Sequence, residues 1–83
     1  MNFSAALEFI KKGGRLTRTG WNGKELSIKL QVPDENSKMT KPYIYMIIPT
    51  SIYDSSTNKE FENVPWLASQ TDLLADDWEL FNN

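Results

Sequence analysis

Residues 66–78 read W-L-A-S-Q-T-D-L-L-A-D-D-W, a helix signal bracketed by two tryptophans. Ser69 and Asp72 have the spacing of a capping box, with the shorter Asp standing where Glu or Gln is usual. Ser69 Oγ is placed to accept the Asp72 backbone N–H, one of the donors that a helix start leaves open. Leu73, Leu74 and Ala75 then give about two turns with an apolar side. Asp76 and Asp77 are weak helix formers and oppose the negative end of the helix dipole, so the helix is expected to stop there. Trp78 and Leu80, two apart, suit one face of a short final strand. The stretch predicts a strand–helix–strand corner locked by Trp66 and Trp78, both in the core.

Working outward, Val64 to Leu67 reads as a short strand leading into that corner. Residues 50–63 are rich in Ser, Thr, Asn and Asp and predict an irregular hairpin at best. Residues 43–48, Y-I-Y-M-I-I, form a nearly continuous apolar run, expected to lie centrally in a sheet and to end at Pro49. Pro33 to Lys41 is polar and without period, hence a loop. In residues 25–32, E-L-S-I-K-L-Q-V, alternation is clean: Leu26, Ile28, Leu30 and Val32 point to the core, and Glu25, Ser27, Lys29 and Gln31 to water.

Nearer the start, residues 15–20 alternate weakly and read as a strand with one polar face. Gly20-Trp21-Asn22-Gly23 is a turn, because Asn-Gly tolerates the positive φ a tight hairpin needs. Residues 3–12 predict a helix with Phe3, Ala6, Leu7 and Ile10 on one stripe, Asn2 as its cap and Gly13-Gly14 as its stop. This order gives a single domain over residues 1–83. Its class is α+β, a small, mainly antiparallel sheet with an N-terminal helix and a short C-terminal one.

Eighty-three residues place the chain near the lower end of what one core supports, so self-association would bury surface the monomer cannot cover. Nine basic against eleven acidic side chains argue against a general nucleic-acid binder, which neutralises many phosphates. Zero cysteines fit a reducing compartment. No apolar run is long enough to span a membrane, and the first residues, with Glu8 among them, do not read as a signal peptide.

The absence of His and Cys removes Ser-His-Asp, Cys-His and nitrogen- or sulfur-ligated zinc sites, so no metal site and no catalytic residue is expected. Asp72, Asp76 and Asp77 are the remaining carboxylates worth weighing, and they read as helix-end acids rather than an acid–base pair. The glycines around Lys24 lack phosphate-loop spacing. Lys11, Lys12, Arg15, Arg18 and Lys24 cluster early. They form either a solvated face or, through Arg15 or Arg18, a grip on a phosphorylated ligand; three apart on a strand, the two arginines face opposite sides. Trp21, inside a turn, either meets a neighbouring subunit, offers its face to a ligand, or folds back. Asn22 serves the turn or reads a ribose hydroxyl. Gln70 and Asp72, at a helix start, can hold hydroxyls and edges of a nucleotide.

Three stretches together resemble a known family: the opening M-N-F-x-x-A-L, the turn T-R-T-G-W-N-G, and the end V-P-W-L-A-S-Q-T-D-L-L-A-D-D-W. So spaced over nearly the whole chain, they are similar to the second family of Thoeris anti-defence proteins of phages and bacteria. Residues 33–63 carry none of the match. The resemblance implies a non-catalytic, cofactor-free sponge acting in the host cytoplasm. It would bind the cyclic ADP-ribose isomer made by a TIR-type defence enzyme before the effector receives it. It also implies a homotetramer with ligand at subunit interfaces, and in some relatives cyclic dinucleotides at separate sites. On this chain, adenine would stack on Trp21, Arg18 would meet the diphosphate, and Asn22, Gln70 or Asp72 the ribose hydroxyls. Two other classes compete with this one. A small nucleic-acid-binding domain would show salt-sensitive RNA or DNA binding, and a protein-interaction module would anchor a partner through Trp21.

Overall fold

Asn2 opens the first helix, α1 (Phe3–Lys11), by accepting the Ala5 N–H through Oδ1 at 2.9 Å. Two glycines close it. Gly13 takes φ +95°, its N–H donates to the Ile10 carbonyl at 3.0 Å, and the Gly14 N–H donates to the Phe9 carbonyl at 2.8 Å. A side chain at Gly13 would strain the left-handed backbone, so Gly13→Ala is expected to cost about 1 kcal/mol in chemical denaturation. An unchanged denaturation midpoint would mean the helix end tolerates another closure.

The computed structural model describes residues 1–21, 25–49 and 61–81. After α1 come strand β1 (Leu16–Arg18), a 3-10 turn at Thr19–Trp21, and strands β2 (Ser27–Gln31), β3 (Tyr43–Pro49) and β4 (Phe61–Pro65). Helix α2 (Gln70–Leu74) and strand β5 (Trp78–Leu80) complete the order. The strands form one antiparallel sheet in the order β4-β3-β2-β1-β5. The architecture is the α+β class expected.

The register puts Leu16, Ile28, Met46 and Val64 in one row, with Leu30 and Ile44 beside it. Helix α1 lies on that face and buries Ala6 and Ile10 against Leu16, Ile28 and Trp78. Trp78 is the largest buried side chain, at 1% exposure. Phe3, Trp21 and Trp66 all meet its ring, with centroids 5.3, 5.3 and 5.9 Å away. Trp66 is half-buried and touches Phe3 at 5.7 Å, so the two indoles do lock the corner. Ser69 caps α2 as the sequence predicts, accepting the Asp72 N–H at 3.0 Å.

Several boundaries differ from expectation, each for a physical reason. Ser27, assigned to water, is fully buried and accepts a 2.7 Å hydrogen bond from Arg15 Nε, so a side chain from the same face covers it. Val32, assigned to the core, lies past the end of β2 and is 62% exposed. β1 is shorter than residues 15–20 because Thr19 enters the 3-10 turn. The Asn22-Gly23 part of the expected hairpin turn lies outside the described residues. β3 is interior but not central, with β2 and β4 as neighbours.

β4 begins at Phe61, earlier than its polar residues suggested, because β3 offers a full set of ladder partners. The rest of the expected irregular hairpin, residues 50–60, lies outside the described residues. Pro49 and Pro65 are both inside the β3–β4 ladder. Trp66 N–H donates to the Ile44 carbonyl at 3.0 Å, which fixes the alternation and makes Met46–Val64 and Ile48–Glu62 the hydrogen-bonded pairs. Both prolines therefore fall at positions where this ladder asks for no N–H. On the outer edge, the donor that Pro65 lacks is one fewer for a foreign strand to use. α2 stops at Leu74, before the two aspartates, and Leu74 is 83% exposed, so the expected apolar side of this helix is not buried.

Candidate functional site

Arg18 ends β1 on the α1 side of the sheet, opposite Trp78 in the register, and its guanidinium meets two carboxylates. Nε donates to Asp77 Oδ1 at 2.7 Å and Nη2 to Asp77 Oδ2 at 3.4 Å, while Nη1 donates to Asp72 Oδ1 at 2.7 Å. The fork joins segments 54 and 59 residues apart in the chain. The side chains of Arg18 and Asp72 are each 14% exposed and that of Asp77 27%, so the triad is partly buried at the edge of the core.

Asp77 holds more than the arginine. Its Oδ2 also accepts the Gly20 N–H at 2.8 Å and the Thr19 hydroxyl at 3.1 Å, which ties down the 3-10 turn that carries Trp21. The hydrogen bond from Arg18 holds the Asp77 carboxyl down at about 2; burial works against this, and the Gly20 and Thr19 donors work with it. Reciprocally, Asp77 first and Asp72 second raise the Arg18 pKa further above its ordinary value. A Cβ at Gly20 would come within 2.9 Å of Asp77 Oδ2 and 3.0 Å of Arg18 Nη2, so a larger residue there would displace one end of this ion pair.

Asp72 is a junction in its own right. Its N–H is capped by Ser69, its carboxylate takes Arg18, and its carbonyl accepts the Trp78 indole N–H at 2.9 Å. One residue thus couples the start of α2, the end of β1 and the core indole.

Of the five residues singled out in the sequence, Arg18 and Asp72 are joined directly, and Trp21 is linked to them through Trp78, whose indole N–H donates to the Asp72 carbonyl. Trp21 does not swing outward, away from its own sheet: it packs edge-on against Trp78, with an interplanar angle of 81°, and is half-buried. Of the three readings left open for it, folding back describes its present position. Gln70, the first residue of α2, is exposed and makes no hydrogen bond through its side chain among the described residues. Asn22 lies outside the described residues. Sequence reasoning missed Asp77, which it assigned to a helix end in water. The only available signal was an acid directly before a buried tryptophan, and nothing local links it to Arg18.

A profile of the Thoeris anti-defense 2-like domain matches residues 1–81. The chain belongs to this family. It is also 32% identical over 89 residues to "Thoeris anti-defense 2" of Bacillus phage SP01, an alignment covering 96% of this chain and 93% of the relative. No helix among the described residues is long and apolar enough to cross a membrane.

Proposed function

We propose that this protein is a non-catalytic anti-defence sponge. It binds the cyclic ADP-ribose isomer made by a bacterial TIR-type defence enzyme and withholds it from the effector, in the cytoplasm of the infected host. Family membership across residues 1–81 is the observation that carries this reading. The site chemistry supports the non-catalytic part. The chain has no His or Cys, and both carboxylates at the centre of the site are spent on Arg18. A carboxyl held at about 2 is far from the pKa a general acid or base needs near neutral pH.

Capture then works by mass action: the sponge exceeds the messenger in concentration and binds it more tightly than the effector does. Preorganisation favours this, because little ordering remains to oppose binding. In this reading Trp21 stacks on the base while Asn22 and Gln70 read ribose hydroxyls. Arg18 and Asp72, tied to each other, back that surface, and Asp77 keeps the turn in place. A homotetramer supplies the enclosure that one 83-residue chain is too small to build. Some relatives' second capacity, for cyclic dinucleotides, belongs to the same proposal.

Calorimetric titration with a cyclic ADP-ribose isomer tests the reading and should give saturable binding. Trp21→Ala should weaken it by a factor of roughly 5 to 150, corresponding to about 1–3 kcal/mol for a lost stacking aromatic. Because Trp21 rests on Trp78, the variant should also melt somewhat earlier, whereas Trp21→Phe should keep both properties. A wild-type protein that takes up no isomer at micromolar concentration would sink the proposal.

A further inference from the structure

The chain has two arginines, and they are held in opposite ways. Arg18 is enclosed by carboxylates, leaving it little to offer a phosphate. Arg15 forms no ion pair among the described residues. Its guanidinium is nevertheless fixed. Nε donates to the hydroxyl of the fully buried Ser27 at 2.7 Å, and the guanidinium carbon lies 4.1 Å from the centre of the Phe81 ring. The backbone reinforces the pair, with Phe81 N–H donating to the Arg15 carbonyl at 2.8 Å.

Both Nη groups are without a hydrogen-bond partner among the described residues. A flexible cation is thus oriented in advance, with its terminal donors unspent. Those donors match the oxygens of a phosphate group in a two-bond grip.

The surroundings point the same way. Continuing the Leu16–Ile28 register by one residue sets Arg15 beside Lys29, and Lys29 faces Tyr45 on the next strand. All three alternate with the residues under α1 and so lie on the opposite face of the sheet. Like charges side by side on neighbouring strands repel, a cost that an anion between them removes. Glu79 shares this face, opposite Thr17, but forms no ion pair with either cation.

We propose that Arg15, with Lys29 as a second cation, is the seat for a phosphate group of the captured ligand. The ligand's identity rests on the sequestration reading; the anion site does not. Trp21 packs on the α1 side of the sheet, so a ligand meeting both Trp21 and Arg15 takes them from two copies of the chain.

The test follows the two arginine Nε–H resonances of the labelled protein during titration with inorganic pyrophosphate at low ionic strength. The Arg15 resonance should move to saturation while the Arg18 resonance stays still, and added salt should reverse the movement. Arg15→Gln should weaken pyrophosphate binding roughly 10- to 100-fold, as expected for lost charge-assisted hydrogen bonds. Arg15→Lys, which keeps the charge but not the fork, should weaken it about tenfold and serves as the readout if the Gln variant folds poorly. A stationary Arg15 resonance, or pyrophosphate binding equally well to both variants, overturns the site. A parallel titration with a cyclic ADP-ribose isomer separates the two ideas. Capture undiminished in Arg15→Lys overturns this proposal and leaves the sponge standing. Pyrophosphate bound at Arg15 with no capture of the isomer supports the anion site and overturns the sponge.

Discussion

Trp78→Ala is expected to destabilise the protein by about 3–5 kcal/mol, the largest loss available from one side chain here. Trp78 is 1% exposed, and Phe3, Trp21 and Trp66 all rest on its ring. Removing it opens a cavity under the contacts that join α1, β5 and the corner, in the one core cluster among the described residues. It also leaves the Asp72 carbonyl without the indole N–H. In a domain of this size each kcal/mol moves the melting temperature by about 4–8 °C. Much of a marginal chain's stability disappears with it. Trp78→Phe isolates the hydrogen bond from the bulk and should cost less, about 1–2 kcal/mol, from the lost indole N–H bond, with the Ala75 N–H still donating to the Asp72 carbonyl at 3.4 Å. Thermal melts and urea titrations of both variants check this. Equal losses in the two would mean that the indole N–H, not the packed volume, is what holds the corner.

Arg18→Met should give the second-largest loss and change its pH dependence. Without the guanidinium, Asp72 and Asp77 are left as two partly buried carboxylates with no cation between them. The wild-type sign follows from Asp77. Its folded pKa of about 2 lies below the ordinary 3.8, so its contribution is fully present above 3.8 and is lost as pH falls through about 2. In the Met variant the main cause of that lowering is gone, and repulsion between the carboxylates favours protonation instead. The variant should therefore melt several degrees below wild type at neutral pH and gain stability as pH falls toward 4, where wild type is flat. A Met variant with the wild-type pH profile would show that the Gly20 and Thr19 donors alone hold Asp77.

The parts of the fold that were legible in the sequence are those with local signals. Asn2, Gly13-Gly14 and Ser69 act through hydrogen bonds spanning three to five residues, so a short window contains both partners. The period-two alternation placed Ile28 and Leu30 correctly. It failed for Ser27, because a residue on the outward face can still be covered by a long side chain from the next strand. It failed again for β4, whose Glu62 and Asn63 are poor strand formers held in place by pairing with β3.

The site was legible only in part. Choosing Arg18 and Asp72 picked out two members of one cluster, but their mutual contact spans 54 positions, and no spacing rule reaches that far. The same blindness hid Asp77 and the hold of both carboxylates on Arg18. Sequence offers no reason to prefer Arg15 for a phosphate. The folded chain does, by spending Arg18 on carboxylates and leaving the terminal nitrogens of Arg15 without a partner among the described residues.

Whether the messenger is withheld intact is read by an effector assay with a heat step. A cyclic ADP-ribose isomer is mixed with excess protein, and the mixture is applied to the messenger's effector before and after the protein is heat-denatured and filtered away. Sequestration gives no activation before heating and full activation by the filtrate, the messenger having been held and released unchanged. A filtrate that stays inert, with the isomer converted to another product by mass, would contradict sequestration and make the protein an enzyme.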